Sequence, residues 1–210
     1  MKKFVLFLLI GVVSAFAFGC NKADESSVDK ALVGAWQIDD EGYSEYYIFT
    51  EDSKVRIARG SVYFEGDAVF NGGVYASNFY YMAGELSYKV EGDKVTFDDG
   101  AGTVLVLKKV DYSAPELKQY DDFKTDNSLV GTWFNEEYND SYTFNSDGSA
   151  SYNVESAELS YSSHIDYTYT EKDGTLYLTY DAGEGSQEMT AEFSVNGDTL
   201  NLEGSEYTRQ

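Results

Sequence analysis

The 210-residue chain is strongly acidic, with 15 lysines and arginines against 37 aspartates and glutamates and a formal net charge of −22. Such a surface repels phosphate backbones, which argues against nucleic acid as a partner. Hydrophobic residues make up 42% of the chain and aromatic residues 16%, enough for packed cores, which excludes a disordered chain. Nineteen tyrosines, nineteen glycines and a single proline are typical of many short strands joined by tight turns.

The N-terminal segment, residues 1–20, has the pattern of an export signal. Two lysines precede an uncharged apolar stretch that ends at Gly19-Cys20. A basic start, an apolar core of about 15 residues and small residues after it are typical of secretory signals, and the stretch is short for a membrane span. The ending Ala17-Phe18-Gly19-Cys20 resembles the lipobox of bacterial lipoproteins, in which the cysteine is acylated and becomes the new N-terminus. The alternative is cleavage after Ala15-Phe16-Ala17, which has the A-x-A form of an ordinary signal.

We therefore predict that Cys20 is the lipid attachment site and that residues 21–31 form a polar tether. The lysine and acids that follow the cysteine resemble the tag that directs lipoproteins to the outer surface in some Gram-negative bacteria. The expected location is the bacterial cell envelope, as an outer-membrane lipoprotein, with surface exposure as one option. Because Cys20 is the only cysteine, the folded part has no disulfide.

A short motif, Leu-Val-Gly-x-Trp, occurs twice, at residues 32–36 and 129–133, and contains both tryptophans of the chain. The separation is far longer than the roughly 20–50 residues of a solenoid unit, so it indicates a duplicated domain. The predicted organisation is a signal peptide (1–20), a tether (21–31), a first β domain (32–110), a linker (111–128) and a second β domain (129–210).

The second copy alternates aromatic or aliphatic residues with polar ones in short runs, which is the period-2 pattern of half-buried strands. Glycine-containing turns separate the runs at residues 146–148, 173–174 and 196–198. About eight short antiparallel strands joined by hairpins are expected. Such a meander must close into a barrel or form a sandwich to hide its edges.

The first copy shares the tryptophan strand and the Tyr47-Ile48-Phe49 strand and then departs from the second. Residues 59–84 have no clear counterpart, and the hairpin at residues 90–97 matches either of two later hairpins of the second copy. In the linker, Ser113-Ala114-Pro115-Glu116 has the S-x-x-E form of a capping box. A short helix over residues 114–123 is therefore expected.

Residues 129–209 contain Leu-Val-Gly-Thr-Trp, then Tyr-x-Phe, then Asp-Gly, then two similar hairpins, Asp-Gly-x-Leu at 173–176 and Gly-Asp-x-Leu at 197–200. This series resembles the small lipocalin-like (calycin-like) domains of bacterial lipoproteins, and residues 32–110 resemble them more loosely. The resemblance implies an all-β fold of two tandem small antiparallel meander barrels. Barrels of eight short strands are already filled by their own side chains, so a deep lipocalin-style cavity is not expected.

The resemblance also implies a role for the tryptophans. In lipocalins the motif tryptophan plugs the closed end of the barrel, often against a basic residue from the last strand. By that likeness Trp133 lies near Arg209, and Trp36 lies near Lys108 or Lys109. Both tryptophans are then structural rather than ligand-binding.

Catalytic groups are scarce in this sequence. His164 is the only histidine and no Gly-x-Ser-x-Gly motif accompanies it, which argues against a catalytic triad and against a zinc or copper site. The acid pairs Asp98-Asp99, Asp121-Asp122 and Glu136-Glu137 have the residue types of a glycosidase dyad, but adjacent strand residues point to opposite faces. No EF-hand loop is present. We expect no catalytic residue, no cofactor and no metal site.

Aromatic residues crowd the first copy, where adjacent pairs must place one ring outward. Exposed tyrosine faces beside polar side chains suit a glycan- or peptide-binding surface. The competing interpretation is that tyrosine simply suits half-buried strands. The residues concerned are Tyr43, Tyr46, Tyr47, Tyr63, Phe64, Phe79, Tyr80 and Tyr81.

The sequence therefore predicts an exported, lipid-anchored envelope protein with a non-enzymatic binding or interaction role. Its expected partners are the membrane, through the lipid, and a glycan, a small hydrophobic molecule or a protein. Two alternatives stay open: a carboxylate-dependent glycoside hydrolase or accessory glycan-binding protein, and a purely structural or inhibitory module.

Overall fold

The computed structural model describes residues 28–38, 44–79, 82–156 and 161–210. The predicted export signal, Cys20 and the tether up to residue 27 lie outside the described residues. Within them the protein is all-β, as the sequence predicts, and no helix is long and apolar enough to cross a membrane. The sixteen strands are β1 (Gly34–Ile38), β2 (Tyr46–Phe49), β3 (Lys54–Arg59), β4 (Val62–Asn71), β5 (Val74–Ser77), β6 (Gly84–Glu91), β7 (Lys94–Asp98), β8 (Val104–Val110), β9 (Gly131–Asn135), β10 (Asp140–Phe144), β11 (Ser149–Ser156), β12 (Tyr161–Lys172), β13 (Thr175–Asp181), β14 (Ser186–Asn196), β15 (Thr199–Leu202) and β16 (Ser205–Arg209).

The last eight strands form a closed antiparallel barrel, which we call the second ring. Each of β9–β16 pairs with the next along the chain, and β16 returns to pair with β9. Alternation places one row of each strand inside, where large rings fill the space. The fully buried members of this core include Leu129, Trp133, Phe144, Tyr169, Leu176 and Leu200.

The first eight strands, which we call the first ring, pair in the same sequential way, and β8 returns to β1. Its core is separate from that of the second ring and is centred on Trp36, Phe49, Phe70, Tyr75 and Phe97. The pairing also settles a register that the sequence left open. The turn between β6 and β7 corresponds to the turn between β14 and β15, so residues 90–97 match the hairpin at residues 196–198.

Strands β4 and β12 join the two rings directly. Val62 to Glu65 pair antiparallel with Ile165 to Ser162, so all sixteen strands belong to one hydrogen-bonded sheet. Both strands are long. Over part of its length, each strand has a partner from its own ring on one edge only. The remaining edge of each strand is filled by the other ring. The sequence predicted only the linker between the copies, not this second connection.

The predicted helix over residues 114–123 is wrong. No helix forms between residues 111 and 128; the segment instead lies along the second ring. Beyond residue 168, β12 has no partner on its β11 side, and there the amide of Glu171 donates to the Lys124 carbonyl at 3.0 Å. Thr168 Oγ1 donates to the Lys118 carbonyl at 3.0 Å, and the ring of Phe123 packs edge-on against Tyr169. These contacts replace intrahelical bonds in a segment too short for a stable isolated helix.

Candidate functional site

The two motif tryptophans are fully buried, and each lies beside a basic residue of the last strand, the arrangement that the resemblance implied for a barrel plug. Trp133 is fully buried, its indole donates to the Leu129 carbonyl at 2.7 Å, and the Arg209 guanidinium lies 4.1 Å from the ring centroid. Trp36 repeats this arrangement with the Leu32 carbonyl at 2.7 Å and the ammonium of Lys109 at 5.3 Å. The predicted pairs are therefore confirmed, and Lys109 rather than Lys108 contacts Trp36.

His164 lies at the junction of the two rings. The imidazole of His164 stacks on the phenol ring of Tyr63 in β4, with the two ring centroids 4.6 Å apart. The guanidinium carbon of Arg56 lies 4.2 Å from the centroid of the same phenol ring. The Nε2 atom of His164 is 2.8 Å from Asp166 Oδ1, and Nδ1 contacts Asn153 Oδ1. Both ring nitrogens are thus occupied by groups that carry neither a hydroxyl nor a thiol. Burial, aided by nearby acids and opposed by Arg56, raises the pKa of Tyr63.

The acids of the three sequence pairs are held by backbone hydrogen bonds or are exposed. Asp98 Oδ1 accepts from the amide of Gly100 at 2.7 Å, and Asp99 accepts from two amides of the same loop. These backbone hydrogen bonds lower the pKa of Asp99. The pairs Asp121-Asp122 and Glu136-Glu137 contain mostly exposed side chains in the linker and in the β9–β10 turn. In the described part of the chain, no three His, Cys, Asp or Glu side chains are placed to hold a metal ion.

The aromatic crowding of the first copy serves mainly the core and the junction. Tyr47 and Phe79 are buried, Phe64 packs partly buried against the core, and Tyr46 lies 4.7 Å from the ring of Tyr112. Tyr43, Tyr80 and Tyr81 lie outside the described residues. The described members of this set are therefore divided between buried side chains and the partly exposed side chains of Tyr46, Tyr63 and Phe64.

The duplication places two buried acids at corresponding positions. Trp36 pairs with Tyr47 in the first ring, and Trp133 pairs with Tyr142 in the second. Glu45 and Asp140 each lie two residues before that tyrosine, and they are only 7% and 5% exposed. Charged side chains are rarely buried to this extent without a partner, so the surroundings of each acid are informative.

Glu45 of the first ring is fully paired. The Nε atom of Arg59 donates to Oε2 at 2.6 Å, and the hydroxyl of Tyr47 donates to Oε1 at 2.8 Å. Nearby residues of the same inner rows are closed to solvent: Tyr47 is 8% exposed, Ile57 is 4% exposed and Leu107 is fully buried. The buried acid therefore forms an ion pair with an arginine whose side chain is largely exposed, next to a buried apolar layer.

Among the described residues, no cation pairs with Asp140 of the second ring. The hydroxyls of Tyr152 and Tyr207 donate to Oδ2 at 2.9 Å and 3.3 Å. The other oxygen, Oδ1, has less than 1 Å² of accessible surface and no hydrogen-bond partner among the described residues. The register explains the difference, because Val154 lies opposite Asp140 where Arg59 occupies the corresponding position of the first ring.

Three tyrosines surround Asp140 in place of the arginine. The ring of Tyr142 lies 4.7 Å from that of Tyr152 and 5.6 Å from that of Tyr207. Tyr142 and Tyr152 stay partly exposed although both pack against the core. Burial, followed by the charge of Asp140, raises the pKa of Tyr142 to about 12. The same two causes, together with hydrogen bonds to Asp140, raise the pKa of Tyr152 and of Tyr207.

Sequence reasoning did not single out Asp140. Among 37 acids, one more acid in a strand gives no signal of burial. The available signal was a comparison of the copies: Glu45 and Asp140 both precede the Tyr-x-Phe strand, and Arg59 is replaced by Val154. That comparison needs the register of β3 and β11, which the structure provides.

The strands and their filled interiors define a β-barrel protein. Residues 127–210 match the model of a family whose description is Family of unknown function (DUF5640). The match begins just before the second copy of the repeated motif and includes all of β9–β16. No curated protein matches the chain. The second ring is thus the part of the chain that is similar to this family.

Proposed function

We propose that the protein is exported, is anchored by lipid at Cys20 in the bacterial cell envelope, and acts there as a non-enzymatic binding protein. The observation that carries the binding role is the difference between the two interior acids. The first ring pairs Glu45 with Arg59, whereas the second ring keeps one oxygen of Asp140 unsatisfied beneath partly exposed tyrosines. An unsatisfied buried acceptor costs about 1–3 kcal/mol, which a bound ligand offsets.

The proposal takes the two rings as tandem lipocalin-like barrels. What supports this is the repeated plug, in which a glycine, a buried tryptophan and a basic residue of the last strand recur in both rings. In the second ring Arg209 reaches the carbonyl of Val130, at the end of β9 that lies away from Asp140. The acid therefore lies toward the end opposite the plug, where a small barrel accepts a ligand.

The absence of an enzymatic role is proposed from the best catalytic candidate. The imidazole of His164 is held between Asn153 and Asp166 and covered by Tyr63. A general base must be within hydrogen-bond reach of the proton that it abstracts, and both nitrogens here are already engaged. We therefore assign His164 to the junction of the rings.

The anchoring is tested by the mass of the mature protein isolated from a bacterial membrane fraction, with Cys20→Ala as the matched variant. We expect a diacyl or triacyl increment on Cys20 in the unaltered protein, and release of the variant from the membrane. A mature chain that begins at Phe18 without lipid would contradict the anchor, because it would indicate cleavage after Ala15-Phe16-Ala17. The binding role is tested separately, with the ligand class derived below.

A further inference from the structure

We propose that the second ring binds a small organic cation with N–H donors, a guanidinium or a primary ammonium group, at Oδ1 of Asp140. This inference rests on the proposed binding function and names its ligand class. Oδ1 is a carboxylate acceptor that lacks a donor among the described residues, and Oδ2 already accepts from two tyrosine hydroxyls. The missing partner must therefore donate a hydrogen bond, and a positive charge is the partner that best offsets a buried carboxylate.

The first ring contains the same chemistry completed by the chain itself. There the guanidinium of Arg59 donates through Nε to Glu45 at 2.6 Å. In the second ring the corresponding residue is Val154, so the cation must come from outside the barrel. The duplicate thus shows which group satisfies an acid at this position of the fold.

The surroundings of Asp140 suit a cation rather than a neutral donor. Tyr142, Tyr152 and Tyr207 pack ring against ring beside the carboxylate. A cation near aromatic faces is attracted to the negative face of each ring, more strongly when it is desolvated. The net charge of −22 also raises the local concentration of cations at the surface.

The route to the acid passes Tyr142 and Tyr152. Both tyrosine side chains are partly exposed, whereas Tyr47 and Ile57, at the corresponding positions of the first ring of strands, are buried. Because Oδ1 itself has almost no accessible surface, the ligand must displace these two tyrosine side chains. The site therefore takes the head group of the ligand while the rest of the ligand extends outward.

The experiment is a calorimetric titration of the full chain, prepared in a soluble form through Cys20→Ala. The probes are methylguanidinium and n-butylammonium, which carry charge and N–H donors. Methylurea, a neutral isostere of methylguanidinium, and tetramethylammonium, which lacks N–H, are the controls. For fragments of this size we expect Kd values on the order of millimolar.

Two variants locate the binding. Asp140→Asn should weaken binding of both N–H cations at least about tenfold, because it removes the charge while keeping the side chain's shape. Val154→Arg should abolish binding by supplying the guanidinium that the first ring already has, and it also serves if Asp140→Asn folds poorly. Glu45→Gln, the matched change in the first ring, should leave binding unchanged.

Each remaining outcome overturns a defined part of the proposal. Cation binding that Asp140→Asn and Val154→Arg leave unchanged would place the ligand elsewhere and overturn the site. Binding of methylurea that depends on Asp140 would overturn the cationic class and leave the binding role of the second ring intact. No Asp140-dependent binding by any probe would overturn both the cationic ligand class and the binding role of the second ring.

Discussion

The glycine of the repeated motif is required because a basic side chain crosses over it. Gly131 has a φ of +141°, and a Cβ there would lie 2.5 Å from Nη1 of Arg209. Gly34 has a φ of +131°, and a Cβ there would lie 3.3 Å from Cε of Lys109. Any other residue would be strained in this backbone region and would push the basic side chain off its tryptophan.

The two basic residues should differ in their contribution to stability. Arg209 donates to the carbonyls of Val130, at 2.7 Å, and Ser128 while it covers Trp133. Within the described part of the chain, Lys109 donates to one carbonyl, that of Val33 at 3.4 Å. We expect Arg209→Ala to lower the free energy of unfolding by about 2–3 kcal/mol and Lys109→Ala by less than about 1 kcal/mol. Urea denaturation of both variants measures this, and equal losses would contradict the assignment of these hydrogen bonds.

Single residues were predictable where local chemistry decides their conformation. Asp173 and Gly174 both adopt a positive φ, as the sequence predicts for a two-residue hairpin turn. Gly148 does the same, but Asp147 does not, so that turn is longer than its Asp-Gly pair suggests. Asp140 could not be predicted, because its burial depends on the closure of strands that are distant in sequence.

One loop of the first ring reinforces the junction of β4 and β12. Ser61 Oγ donates to the Asp166 carbonyl at 2.9 Å and accepts from the Asp181 amide at 3.0 Å. Its own amide donates to the Asp181 carbonyl at 2.8 Å. The preceding Gly60 has a φ of +57°, and a Cβ there would clash with the Asp181 backbone, whose carbonyl carbon would be 2.7 Å away.

We therefore expect Gly60→Ala to uncouple the two rings. The clash is with backbone, which cannot move aside cheaply, so the strand pairing around Ser61 should be lost. Calorimetric unfolding should change from one transition to two, with the first ring melting earlier. Gly197→Ala is the matched control, since its φ of +62° is similar and nothing lies within 4 Å of the added Cβ. A single unshifted transition in Gly60→Ala would refute this role of the loop.

At the level of elements, the strands of the second copy were predictable because their period-2 pattern and glycine turns are local. The linker helix was predicted wrongly for the opposite reason. Ser113 to Glu116 carry a helix-start pattern, but the exposed edge of β12 offers Lys124 and Phe123 better partners. The β4–β12 pairing was not predicted either, because it joins strands from different copies.

Across the whole molecule, buried tyrosines make stability depend on alkaline pH. Burial raises the pKa of tyrosines in both rings above the usual value near 10, and that of Tyr142 reaches about 12. A raised pKa means that the folded state holds the proton more tightly than the unfolded state, and each tenfold difference in proton affinity is worth about 1.4 kcal/mol. The stabilisation is therefore complete below about pH 10 and is lost as the pH rises through the folded pKa values.

We expect the melting temperature to fall steeply above about pH 10, with the buried tyrosines ionising as the chain unfolds. Tyrosinate absorbance and circular dichroism, recorded in one titration, measure this. The late part of the absorbance change should coincide with loss of the β signal. Complete tyrosine ionisation in a chain that is still folded would contradict the interior placement of these rings.

The central claim is that the two rings share one architecture but differ at one interior acid, which is paired in the first ring and unpaired in the second. The most direct test compares the unfolding free energies of Glu45→Gln and Asp140→Asn in the absence of ligand. We predict a loss of about 1–3 kcal/mol for Glu45→Gln, reduced from a fully buried pair because the Arg59 side chain is 56% exposed. Asp140→Asn should change stability by less than about 1 kcal/mol or increase it, because it removes an uncompensated buried charge. A larger loss for Asp140→Asn than for Glu45→Gln would contradict the claim.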